Sequence, residues 1–177
     1  MGDETSCLPS ASSRSVPRPM PTTFLKGDVF DAAAERTGQR ALAFGADCAG
    51  TMDTGIAVAF RQRWPALAEA YRAHCEGGRM QLGEVFTWRE GDLVVYALGL
   101  WRNGGKPKVS TLQSVSRAMI ARAAADGVTA IFLPRIGAGK TGMDWARVKR
   151  VLTELGAETL LELVVFEQFV RKKVAAP

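Results

Sequence analysis

The stretch from Ile131 to Trp145, IFLPRIGAGKTGMDW, constrains this chain more than any other. An apolar run from Thr129 to Pro134 breaks into a loop containing Gly137, Gly139 and Gly142. Trp145, Val148, Leu152 and Leu155 then recur at helical spacing. Buried strand, glycine loop and amphipathic helix, in that order, belong to an open α/β sheet. There a loop at a strand's carboxyl end lets backbone N–H groups reach a ligand with no Cβ in the way, and the helix behind it presents its positive end. The loop fits neither common phosphate motif. GAGKTG lacks the four-residue spacer of a P-loop, and it falls too late in the chain to open a dinucleotide-binding βαβ unit.

A chain of 177 residues with 47% apolar and 23% charged residues makes one domain with a full-sized core. The formal charge of +5 comes from scattered basic residues, which points to an anionic ligand rather than to a polyanion-binding block. Cys7, Cys48 and Cys75 show no metal-ligand spacing, and with His74 the chain's single histidine no zinc site is expected. Unpatterned cysteines fit a reducing, cytoplasmic setting. No apolar run reaches the length of a membrane span, so a soluble, unexported protein without membrane contact is expected.

Met1 to Pro21 holds five serines and four of the eight prolines with few large apolar residues, and is read as a disordered extension. A folded domain over residues 22–170 follows, then a basic tail over 171–177 containing Arg171, Lys172 and Lys173. Within the domain, Thr22 to Leu25 and Arg40 to Phe44 are expected as strands, with a second small-residue loop from Gly45 to Gly55. Ile56, Ala59 and Phe60 form the inner face of a helix that Pro65 breaks, and a further helix runs to about Cys75. Glu84 to Trp88 and Asp92 to Leu98 flank a hairpin turn, the antiparallel part of the sheet. Ser110 to Gln113 has the form of a capping box opening a helix that ends at Gly127, with Leu112, Val115, Ala118 and Met119 facing inward. Leu160 to Phe166 is a last strand. The expected architecture is a three-layer α/β/α fold with a mixed central sheet.

Two glycine-bearing loops, Asp47 to Gly55 and Ile136 to Gly142, each follow a strand and precede a helix. Facing one another at the carboxyl ends of the strands, they would enclose an elongated, phosphate-containing ligand. Asp28, after the first strand, can accept from an exocyclic amine or a ribose; as an aspartate before a helical segment it equally fits an N-cap. Asp144 is placed as the N-cap of the helix that starts at Trp145. Trp101 in a polar loop can cover a base or ribose, and Cys48 is either a thiol in the ligand loop or a packing residue.

KGDVF at Lys26 to Phe30, CAGTMDTGIA at Cys48 to Ala57, LQS at Leu112 to Ser114 and LPRIGAGKTGMDW at Leu133 to Trp145 resemble, in order and spacing, the macrodomains. The resemblance is to the branch that contains the terminal ADP-ribose protein glycohydrolase and the macrodomain antitoxin that removes ADP-ribose from DNA. It covers roughly Thr22 to Phe166 and implies an ADP-ribose ligand, with no metal and no cofactor. It implies that Asp28 and the Val29 N–H hold the adenine. Gly50, Thr51, Met52, Gly55, Ile56 and Ala57 would wrap the diphosphate and distal ribose from one side, and Gly137, Ala138, Gly139, Lys140, Thr141 and Gly142 from the other. Asp47 falls where many macrodomains carry a distal-ribose asparagine. Asp47 or Asp53 is the candidate base that polarises a water, and Lys140, before Arg102 or Lys106, the candidate for stabilising negative charge.

Two positions depart from that branch. Leu100 stands where its lysine would be, and Thr141 where its catalytic aspartate would be. The implied activity is removal of ADP-ribose from acidic residues of modified proteins, whose carboxylate leaving group needs little acid assistance. Non-catalytic reading of ADP-ribosylated protein or nucleic acid, and hydrolysis of an ADP-ribose 1''-phosphate or O-acyl-ADP-ribose, are the alternatives.

Overall fold

The computed structural model describes residue 19 and residues 21–139 and 142–170. The N-terminal extension (apart from Pro19 and Pro21), Lys140, Thr141 and the basic tail fall outside the described residues.

The elements alternate as the sequence pattern dictates. They run β1 (Thr23–Lys26), α1 (Val29–Glu35), β2 (Arg40–Asp47), α2 (Ile56–Arg63), α3 (Pro65–Cys75), β3 (Val85–Glu90), β4 (Leu93–Trp101), α4 (Val109–Ala125), β5 (Ala130–Pro134), α5 (Trp145–Ala157) and β6 (Glu162–Gln168), with a 3₁₀ turn at Glu76–Gly78. One sheet has the order β1-β6-β5-β2-β4-β3. All its pairings are parallel except the β3–β4 hairpin. Because β2, β4 and β5 are covered on both faces, their residues are buried almost without interruption, as parallel strands under helices must be.

The period-2 alternation of the strands divides the core into two clusters. Leu42, Phe44, Val95 and Phe132 face α1, α2 and α3, where Phe30, Phe60, Leu67 and Tyr71 complete one layer. Ala43, Tyr96, Leu98, Ile131 and Leu133 face α4 and α5, which supply Leu112, Val115, Met119, Val148, Leu152 and Leu155. Each large side chain so buried stabilises the fold by roughly 1.5–3 kcal/mol relative to exposure. Asp144 caps α5 as expected, its carboxylate accepting from the Arg147 N–H at 3.1 Å.

Three boundaries and one buried position differ from the expectation. β2 runs on to Asp47, because Gly45 and Ala46 pair with Leu98 and Gly99 although their small side chains read as loop. The capping box at Ser110 to Gln113 does not form: α4 begins at Val109 with Lys108 in the cap position and no side-chain capping bond. Ala118 is exposed, and Ser116 lies with Leu112, Val115, Met119 and Ala123 on the buried face instead, because at about 100° per residue Ala118 falls about 200° round the helix from Ser116. The last strand is Glu162–Gln168, shifted because it pairs parallel with both β5 and β1 while Leu160 stays 57% exposed before it.

Candidate functional site

The carboxyl ends of β2, β4 and β5 open into one cleft of about 640 Å³. Three loops wall it. The β2–α2 loop brings Thr54, Gly55, Ile56 and Ala57, the β4–α4 loop brings Trp101, Gly104, Gly105 and Pro107, and the β5–α5 loop brings Arg135, Ile136, Gly137, Gly139 and Gly142; among the described residues Gly45 is the remaining one that lines it. Seven of these fourteen residues are glycine, so much of the wall is bare backbone. Ile56 opens α2, whose free N–H groups and positive end meet the cleft directly.

Two glycines are fixed by geometry. A Cβ on Gly45 would lie 2.8 Å from Leu100 Cδ1 and 3.1 Å from the Trp101 ring, so only glycine lets Trp101 cross over β2 and line the cleft. Gly137 has φ +66°, and its carbonyl accepts the Met143 N–H at 2.6 Å. Leu100 is 1% exposed, packed in the core with Ile136 beneath Gly45. It forms part of an apolar floor.

Asp47 is buried, and its carboxylate is fully engaged. Oδ1 accepts from the N–H of Ala49 at 2.8 Å and of Asn103 at 3.0 Å, and Oδ2 from the N–H of Gly104 at 3.1 Å. Its backbone carbonyl takes the Tyr71 hydroxyl at 2.9 Å. Asp47 therefore ties the β4–α4 loop to the end of β2 and is not among the described residues that line the cleft. Beneath it lie Cys48 and Cys75, both free and buried. Burial pushes the Cys48 thiol up to about 11 and raises Cys75 as well, so neither is a thiolate near neutrality.

The structure divides the remaining expected residues. Gly55, Ile56, Ala57, Gly137, Gly139 and Gly142 come together around the cleft. Gly50, Thr51, Met52 and Asp53 instead line a separate depression of about 370 Å³ with Arg61 and Arg72, on the outer side of the same loop. Met52 is 3% exposed and packs into the core, and the exposed Asp53 is ion-paired with Arg61. Asp28 is the N-cap of α1, accepting from the Phe30 N–H at 2.8 Å, and neither it nor Val29 lines the cleft; Val29 is buried in the core. Ala138 sits half-buried in the loop without lining the cleft. Lys140 and Thr141 lie outside the described residues.

Arg135 was not expected. It is the first residue after β5, exposed, and among the described lining residues it is the only one with an ionisable side chain. The available signal was its position, since open α/β sheets bind ligands beyond the carboxyl ends of their strands.

The sequence profile of the Macro domain family matches residues 44–152, from the second half of β2 into α5. The chain belongs to the macrodomain family. This macrodomain is 28% identical over 144 residues to the human ADP-ribose glycohydrolase OARD1, an alignment covering 81% of this chain and 90% of that protein. It is likewise 28% identical over 152 residues to a DNA ADP-ribosyl glycohydrolase of Thermus aquaticus, covering 81% of this chain and 40% of that one. The solved macrodomain of Thermus aquaticus DarG superposes with a TM-score of 0.72 at 24% identity, covering 82% of this chain and 97% of that structure. Thermosipho africanus DarTG, solved in complex with ADP-ribose, matches with a TM-score of 0.71 at 14% identity, covering 87% of this chain and 42% of that one. The expected three-layer fold with its mixed sheet is the macrodomain fold. Among the described residues no helix is long and apolar enough to cross a membrane, and no cluster of side chains has the makings of a metal site.

Proposed function

We propose that this macrodomain holds ADP-ribose in the glycine-walled cleft and removes it from acidic side chains of modified proteins. The observation that carries the reading is the cleft itself: seven glycines and the N-terminus of α2 line a space large enough for an extended diphosphate ligand, which leaves backbone N–H groups within its reach. The relatives that share its fold and sequence are named as glycohydrolases of ADP-ribose linkages.

The chemistry asks little of the protein. Breaking the bond between the anomeric carbon and the ester oxygen releases a carboxylate, whose conjugate acid has a pKa near 4, so no general acid is needed. Water adds to the anomeric carbon and loses one proton, leaving free ADP-ribose and the side-chain carboxylate. With Asp47 engaged by three N–H groups and Asp53 paired on the outer side of its loop, we assign the proton's acceptor to the substrate's own diphosphate or to solvent. The loops then act by orientation. Asp47 serves as a loop anchor, and Asp28 as a helix cap beside the adenine end.

A second reading, a non-catalytic reader of ADP-ribosylated protein or nucleic acid, is favoured by one observation: no carboxylate, histidine or thiol lines the cleft among the described residues. A reducing cytoplasmic setting accords with the free thiols of Cys48 and Cys75. We take residues 22–170 as the working unit.

One experiment separates the readings. The full chain is incubated with glutamate-linked mono-ADP-ribosylated protein and free ADP-ribose is followed, while calorimetry measures ADP-ribose binding. Release with binding is expected. Binding without release selects the reader, and release confined to a phosphorylated or acylated ADP-ribose selects a small-molecule hydrolase. Absence of binding would sink the pocket assignment.

A further inference from the structure

The cation on the cleft wall is held in place from outside the cleft. The Arg135 guanidinium carbon lies 5.0 Å from the centre of the Trp145 ring, over its face. Trp145 is itself fixed twice: its Nε1–H donates to Glu167 Oε1 at 2.8 Å, and its ring packs edge-on against Phe24 with centroids 6.4 Å apart. Lys149 Nζ, 2.7 Å from the same Glu167 oxygen, secures the carboxylate from α5. The parallel β5–β6 register, which pairs Pro134 with Phe166, sets Arg135 and Glu167 at the same level of the sheet. Glu167 is thus held below the usual carboxylate range, chiefly by the hydrogen bonds from Lys149 and Trp145.

The ring contact orients the exposed guanidinium while leaving its donors unspent. Among the described residues the Arg135 side chain makes no hydrogen bond and no ion pair, although five N–H donors project from it. A planar fork resting on a ring loses little entropy when it closes on two oxygens of one anion, which an ammonium cannot match. Arg135 directly precedes Ile136, Gly137 and Gly139, which line the cleft that holds the diphosphate in the proposed function.

We infer that Arg135 is the residue that makes the cleft select a diphosphate, and that Glu167 acts through Trp145 as its positioning residue. The inference rests on the proposed ADP-ribose reading. It assigns the charge recognition of the ligand to a side chain at the end of β5, with the glycine loops supplying shape and neutral N–H donors.

The test is calorimetric titration of the full chain and its variants with ADP-ribose, adenosine and inorganic pyrophosphate at two salt concentrations. Arg135→Ala is expected to weaken ADP-ribose about tenfold or more, as loss of a charge-assisted pair does, and to flatten the salt dependence while adenosine binding stays unchanged. Arg135→Lys recovers only part of the loss. Glu167→Ala weakens ADP-ribose severalfold in the wild-type background and has no further effect on Arg135→Ala, a non-additivity that general destabilisation would not produce. Unchanged ADP-ribose affinity in Arg135→Ala, or an equal loss for adenosine, overturns the inference while leaving the ADP-ribose reading intact. If the wild type fails to bind ADP-ribose but binds pyrophosphate in an Arg135-dependent way, the reading falls and the anion site stands. Failure to bind either ligand ends both.

Discussion

The Gly104 N–H donates to Asp47 Oδ2 at 3.1 Å, so a loop that forms one wall of the cleft is hung from the end of the strand that forms its floor. The other oxygen of the same carboxylate holds Ala49 and Asn103. Asn103 carries φ +51°, an uncommon conformation for a residue other than glycine, and the bond to Asp47 helps maintain it.

An anchor and a base respond differently to substitution. Asp47→Asn keeps one acceptor oxygen and replaces the other by donors that face the Gly104 N–H or its neighbours. It is expected to lower stability by about 1–3 kcal/mol, as loss of a buried hydrogen bond does, and to weaken ADP-ribose binding in parallel. Urea denaturation and calorimetry check this. Loss of turnover with stability and affinity both intact would identify Asp47 as the base instead.

Leu100 is expected to matter for folding. Truncation to alanine in a fully buried site beneath Gly45 should cost about 2–5 kcal/mol and lower the melting temperature by several degrees. Scanning calorimetry measures the shift. A cost below 1 kcal/mol would mean that the floor is loosely packed.

Asp53 and Arg61 make an exposed pair on the far side of the β2–α2 loop, their side chains 65% and 46% exposed. Such a pair contributes about 0–1 kcal/mol. Asp53→Ala should therefore leave stability and ADP-ribose release within twofold of wild type in the protein-substrate assay. A fall of a hundredfold in release would place Asp53 in the chemistry.

Burial raises the Cys48 thiol from 9.0 to about 11, which has a defined sign. Above about pH 9 the unfolded chain gives up the Cys48 proton while the folded chain retains it until about pH 11. The unfolded state then binds fewer protons and stability falls as pH rises through that window, having been fully present below it. Denaturant midpoints at pH 8, 9, 10 and 11 should decline, and the decline should be shallower in Cys48→Ala. In a Cys7→Ser background, Cys48 and Cys75 should resist alkylation at pH 8 until the chain unfolds; ready labelling of the native protein would contradict their burial.

The order of strands and helices was legible because each element carries its own period: β4 and β5 read as apolar runs, and α5 repeats at Trp145, Val148, Leu152 and Leu155. The end of β2 was not. Gly45 and Ala46 have the composition of a loop, and only the neighbouring strands, distant in sequence, turn them into a central strand. The two facing glycine loops could be read as a cleft because bare backbone near a strand's end has few other uses. Asp47 and Arg135 could not be placed, for opposite reasons. Two of the three N–H partners of Asp47 lie on a loop more than fifty residues later, and Arg135 gains its meaning from Trp145 and Glu167 on two other elements.

The pairing of Thr23 with Val164 makes β1, the first of the described strands, the neighbour of β6, the last of them. During synthesis at roughly 5–20 residues per second, β1 must wait on the order of ten seconds for its partner to be made. Until β6 fills the gap between β1 and β5, two strand edges stand open to pair with other chains. The sheet is thus sealed by β6, and a message truncated within α5 would yield an adhesive fragment that lacks the strand joining β1 to β5.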